Sequence, residues 1–174
     1  MGPPHLAIAA DKRNIASPAA AALDFACTGK ATAMNDRIIG TWKLVSVKAR
    51  DLDSGEERDA WGPNPHGYIN YGPDGRMMVI NTRSGRTKPK GAAPTVAEAA
   101  DLFQGLLAYA GSYTVKGNEV THHVDISWNE AWTGQDMVRI ARFDGDRVHL
   151  STRPSPDPVN GRISVRTMTW EKLK

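Results

Sequence analysis

Turn residues recur along the chain from Ile38 onward, and the segments between them are short and rich in β-branched and aromatic residues. The segments are IIGTWKLVSVKA (38–49), GYINY (67–71), RMMVINT (76–82), GSYTVK (111–116), EVTHHVDIS (119–127), DMVRIARF (136–143), RVHLSTR (147–153) and RISVRTMTWEKL (162–173). Gly72-Pro73-Asp74-Gly75, Gly117-Asn118 and Asp144-Gly145-Asp146 are hairpin turns by chemistry, and the Pro-rich PSPDPVNG precedes the last segment. Eight short strands in hairpin succession predict an all-β fold, an eight-stranded antiparallel up-and-down barrel. Closure removes both sheet edges and leaves an interior wide enough for side chains or one small ligand.

One helix is predicted within this series, over about 95–110, near an open end of the barrel. Thr95-Val96-Ala97-Glu98 has the form of a capping box after Pro94. Phe103, Leu106, Leu107 and Ala110 then recur at helical spacing, and Gly111 stands where a helix C-terminus favours a left-handed residue.

The first 33 residues read differently. They are Ala-rich and lack strand alternation, so the domain is expected to span 34–174 with 1–33 as an N-terminal extension. Ala31-Thr32-Ala33 has the look of a signal-peptidase site, but Asp11, Lys12, Arg13 and Asp24 interrupt the apolar stretch that an exported chain needs. The expectation is therefore an over-extended start and a cytoplasmic protein, with export as the alternative. Twenty-two basic against 19 acidic residues leave a net charge of +3, too small for a nucleic-acid footprint. The single cysteine, Cys27, excludes an internal disulfide framework, and no apolar run is long enough for a membrane span.

Gly40-Thr41-Trp42 at the start of the first strand resembles the Gly-x-Trp signature of lipocalins. The ordered series GTWKLVS, GYINYGPDGRMMV, LAYAGSYTV, VTHHVDISWNEAWTG, DGDRVHLST and MTWEK resembles, more closely, the bacterial and fungal lipocalin-like domain family. The resemblance covers Gly40 to Lys172 and implies a calyx-like barrel. It also implies a role for Arg166, as the last-strand arginine that covers the signature tryptophan, here Trp42. The tryptophan-x-glycine step Trp132-Thr133-Gly134 belongs to the same likeness and points to Trp132 as the mouth of the pocket.

Alternation selects the other candidate site residues. Val120, His122, Val124 and Ile126 share one strand face, and Thr121, His123, Asp125 and Ser127 share the other. The first set is apolar apart from His122, so His122 is expected inside the barrel and His123 outside. A lone imidazole among valines is either a hydrogen-bonded core residue or the polar fixture of a binding site. Leu44, Met78, Val124 and Ile126 are expected to line the cavity, and one of Tyr68 and Tyr71 to look inward; Tyr71 is the ligand-binding candidate. The face of 136–143 is ambiguous, since Met137, Arg139, Ala141 and Phe143 alternate with Val138, Ile140 and Arg142. An inward Arg139 would require an anion or several acceptors, which makes it a carboxylate anchor. Trp170 is expected to seal the base, and the basic loop RSGRTKPK (83–90) to be solvated beside the mouth.

No metal site is expected, because adjacent strand residues cannot chelate one ion and no third ligand stands at a supporting spacing. No phosphate loop, dinucleotide fingerprint or hydrolase elbow is present, and no cofactor or nucleic-acid partner is expected. Two functions remain: a protein that binds a small apolar or amphipathic molecule in its calyx, or a cofactor-free barrel enzyme (isomerase, cyclase or hydratase) with His122 as general acid or base.

Overall fold

The computed structural model describes residues 34–174, so the expectation for 1–33 lies outside the described residues. Ten strands form one antiparallel sheet: β1 (Gly40–Asp51), β2 (Glu57–Asp59), β3 (His66–Tyr71), β4 (Arg76–Thr82), β5 (Leu106–Lys116), β6 (Glu119–Ser127), β7 (Asp136–Asp144), β8 (Arg147–Ser151), β9 (Ser155–Pro156) and β10 (Ile163–Lys172). The order β1-β3-β4-β5-β6-β7-β8-β10 closes through pairing of β1 with β10, which gives the expected eight-stranded barrel; β2 and β9 are short additions at its edge. Each of the eight sequence segments supplies one barrel strand.

The barrel is packed at one end. Residues 34–38 are helical and lie across that end, with Ile38 fully buried and its carbonyl accepting the Trp42 indole N–H at 2.8 Å. Trp42, Leu44, Val148 and Trp170 are buried above it, and Leu44 and Val148 both pair with Trp170, so Trp170 does seal the base. The cation over Trp42 is Lys172 rather than Arg166. Its Nζ stands 5.0 Å from the ring centroid, while Arg166, six residues earlier on the strand, faces Asp157 at the other end.

The helix is shorter than its periodicity predicted. It runs Val96–Gln104, with the Thr95–Glu98 capping box formed as expected, and ends at Gly105, whose N–H bonds the Asp101 carbonyl. Leu106 to Ala110 instead join β5 and pair with Thr82 to Met78 of β4. A ladder with a neighbouring strand outweighs a weak helical preference. Gly111, read as the helix cap, is a buried mid-strand residue at a bulge in the β5–β6 pairing. The helix itself buries no residue, so it lies at the mouth without plugging it.

Register decides two further corrections. The β3–β4 hairpin pairs Tyr71 with Met77, so Met77, Val79 and Asn81 point inward and Met78 is 62% exposed. The bulge beside Gly111 shifts β6 so that Val124 remains inside and Ile126 is 65% exposed. A one-residue bulge exchanges faces beyond it. A second bulge between Leu44 and Ser46 has the same effect in β1, where Val47 and Ala49 take the buried positions.

Candidate functional site

Three side chains from three strands meet in the barrel core. His122 of β6 is 1% exposed; its Nε2 lies 2.7 Å from the Tyr71 hydroxyl of β3 and its Nδ1 lies 2.8 Å from the Tyr109 hydroxyl of β5. His123, on the opposite face, bonds Asp136 at 2.6 Å and Thr114 at 3.0 Å outside the barrel. That Thr–His–Asp line resembles a hydrolytic triad in order. It lies on the outer sheet face, where His123 pairs with Ser112 of β5 and Asp136 of β7.

Burial pushes the His122 pKa well down, and the positive charges of Arg139 and His123 act in the same direction, so the ring is neutral at pH 7. A neutral imidazole has one donor and one acceptor nitrogen. Tyr71 is fully buried, and His122 is its one hydrogen-bond partner among the described residues, so its hydroxyl donates to an unprotonated Nε2. Nδ1–H then donates to Tyr109, which leaves the Tyr109 hydroxyl proton free for a further acceptor. Burial also raises the pKa of both tyrosines.

The structure settles the ambiguous face of β7. Ala141 is buried and pairs with the buried Leu150, while Arg142 is exposed, so Met137, Arg139 and Phe143 share the inward face. Arg139 therefore faces the interior. Its positive charge acts on Tyr71, Tyr109 and His122 and lowers the pKa of each. Its guanidinium donates to the Val138 carbonyl at 2.9 Å and to the Met137 sulfur at 3.7 Å, neither of them a charged partner. Among the described residues no carboxylate pairs with it. Arg166 also turns inward, but Asp157 neutralises it at 3.6 Å.

Inward-facing Leu107, Met137, Arg139 and Met168 are only half-buried, in contrast to the fully buried residues at the base. The barrel is thus less tightly closed toward the helix end than at the base. Trp132 stands at that end on a 3-10 turn (Glu130–Trp132) capped by Asn129. Its ring meets Trp128 edge-on at 4.6 Å and Tyr109 at 6.0 Å, and Phe103 of the helix lies 5.9 Å from Trp128. Aromatic rings therefore run without a break from the rim to the Tyr71–His122 core. Asn81 points inward nearby. It is buried, its Oδ1 has no partner, and it leans on Gly67, where any Cβ would collide with it.

The family model for the lipocalin-like domain matches residues 39–173. The chain belongs to the lipocalin-like domain family. A solved structure, a lipocalin-like protein from Bacteroides uniformis, is similar at 14% identity, covering 79% of this chain and 99% of its own, with a TM-score of 0.43. No curated protein matches the chain.

Of the site residues expected from sequence, this lipocalin-like barrel brings together His122, Tyr71, Val124, Arg139 and Trp132 on its inner face or rim, and it excludes Met78. Tyr109 is not among the residues expected from sequence, because helical spacing places LAYAG in the helix. The signal was present: Leu107, Tyr109, Gly111, Tyr113 and Val115 alternate with small or polar residues at a period of two, the mark of a strand with one buried face. The basic loop is tied down at two points, by Arg83 to Asp101 of the helix and by the Lys90 amide to Glu98. Among the described residues no cluster could hold a metal ion, and no helix is long and apolar enough to cross a membrane.

Proposed function

We propose that the barrel binds a small amphipathic anion, with its carboxylate or equivalent group at Arg139 and Tyr109 and its apolar body along the rim aromatics. The observation that carries this is the inward, half-buried Arg139, which has no carboxylate partner among the described residues. A guanidinium partly removed from water is better satisfied when an anion meets it. The free Tyr109 proton supplies a second donor to the same group. Met137, Leu107 and Trp132 give the apolar surface that a chain or ring would cover.

The test compares a medium-chain fatty acid with the alcohol of equal length by displacement of an apolar dye. The acid should bind roughly 10–100-fold tighter, the range of one charge-assisted hydrogen-bonded contact. Arg139→Met should abolish that preference and leave alcohol binding in place. Equal affinity of acid and alcohol for the unaltered protein would defeat the proposal.

A second reading rests on the Tyr71–His122–Tyr109 chain. Three ionisable groups in hydrogen-bond contact form a proton relay that ends at a hydroxyl facing the ligand, so Tyr109 rather than His122 is the acid of an isomerase-type barrel. Turnover of a bound carbonyl compound, lost in Tyr109→Phe with binding intact, would support it. Binding without turnover leaves the first reading.

A further inference from the structure

The outer face of β3–β6 carries apolar side chains that the barrel does not use. Two cross-strand rows compose it: Tyr68, Ile80 and Ala108 in one, and Asn70, Met78, Ala110 and Ile126 in the next. The four large side chains are well exposed: Tyr68 at 49%, Ile80 at 54%, Met78 at 62% and Ile126 at 65%. Phe103 and Trp128 continue the face at the mouth, since Trp128 bonds through its amide to Ala108 and through its indole to Phe103. No charged residue stands within either row, and the Tyr68 row ends at the exposed Lys43, the partner of Tyr68 on β1. The nearest charges at the lower rim, Arg76 and Asp125, already neutralise one another at 2.6 Å.

We propose that this face is the dimer interface of the protein and that its occupant is a second copy of the chain. The four side chains present on the order of 400 Å² of apolar surface, in the range of the largest exposed patch on a protein, which is often functional. A standard interface buries roughly 800 Å² per partner with an apolar centre and a polar rim. At about 56–65% apolar, one side of such an interface calls for roughly 450–520 Å² of apolar surface, close to what the patch presents. A sheet face packs well on another sheet face, and a two-fold axis through Met78 would lay the same uncharged rows on each other with Lys43 kept at the rim. A membrane surface fits less well, because it calls for a cluster of basic residues, and here Arg76 is balanced by Asp125 and Lys43 is a single charge at one edge.

The experiment is sedimentation equilibrium of the full chain from about 1 to 100 µM, with circular dichroism to verify the fold. The unaltered protein should be dimeric in the upper part of that range. Met78→Glu should weaken dimerisation at least tenfold, and Ile80→Thr, which keeps a β-branched residue in the strand, should weaken it to a lesser degree. Val159→Glu alters an equally exposed apolar residue elsewhere and should leave the dimer unchanged. Monomer throughout the range, a dimer that survives both patch substitutions, or a dimer lost only on removal of residues 1–33 would overturn the proposal.

Discussion

Replacing His122 by leucine tests the core triad through both stability and pH. Leucine preserves apolar volume roughly, but it removes the acceptor of Tyr71 and the donor to Tyr109. Tyr71 has no second partner among the described residues, so its hydroxyl becomes a buried orphan, which costs about 1–3 kcal/mol. Tyr109 accepts from Nδ1–H rather than donating to it, so it should lose only the net value of one hydrogen bond, about 1 kcal/mol. The expected loss at pH 7.5 is therefore about 2–4 kcal/mol, read from urea unfolding by tryptophan fluorescence at constant m-value. Adding Tyr71→Phe removes the orphaned hydroxyl, so the double variant should be more stable than His122→Leu alone. The pH profile follows from the depressed pKa. The unfolded chain takes up a proton near 6.5, whereas the folded chain resists it. The contribution of His122 is thus complete above about 6.5 and falls as the solution is acidified, with a limiting slope of about 1.4 kcal/mol per pH unit. That component should vanish in His122→Leu, while the one from His149, whose pKa burial lowers too, persists. A loss below about 1 kcal/mol, a double variant less stable than the single, or an unchanged acid slope would refute the reasoning.

The loop after β8 should depend on one ion pair. Asp157 is buried, and although burial pushes its pKa up, the Val159 amide and the charges of Arg58 and Arg166 hold it below the ordinary carboxylate value. Arg58 donates to both its oxygens at 2.7 Å, so Arg58→Met should cost roughly 2–3 kcal/mol at neutral pH, less than a fully orphaned charge because Arg166 remains. Thermal melts should show that cost shrinking as the pH falls through the carboxylate range, where Asp157 stability is lost in the unaltered protein as well. Gly111→Ala should be far more damaging than its chemistry implies, roughly 2–4 kcal/mol, because a Cβ there would collide with the His123 carbonyl across the bulge. Gly91→Ala, where the nearest atom is 3.5 Å away, serves as the control and should be neutral in the same melts.

Strand number, order and hairpin pairing were legible in the sequence because turns are local. Gly72-Pro73-Asp74-Gly75 or Gly117-Asn118 reverses the chain through its own backbone preferences, whatever the rest of the molecule does. The same locality made the Thr95–Glu98 cap readable. His122 was correctly expected inside, because Val120, His122 and Val124 precede the bulge and keep a strict period of two. Beyond that point the local rule fails. Ile126, Val47 and Met78 each obey alternation, yet which face is inner depends on bulges and on the register set by a partner strand, and neither is encoded within six or seven residues. Leu106 to Ala110 had helical spacing and became strand because β4 offered a full ladder of hydrogen bonds, a partner more than twenty residues away. Arg139 could not be assigned from a segment that is apolar on both faces; closure of the barrel against β8 turned it inward. The meeting of Tyr71, Tyr109 and His122 is likewise a property of closure alone. Hydrogen bonds between residues 13 and 51 positions apart exist only after three strands have been brought to a common axis, and it is burial at that axis that keeps the imidazole neutral.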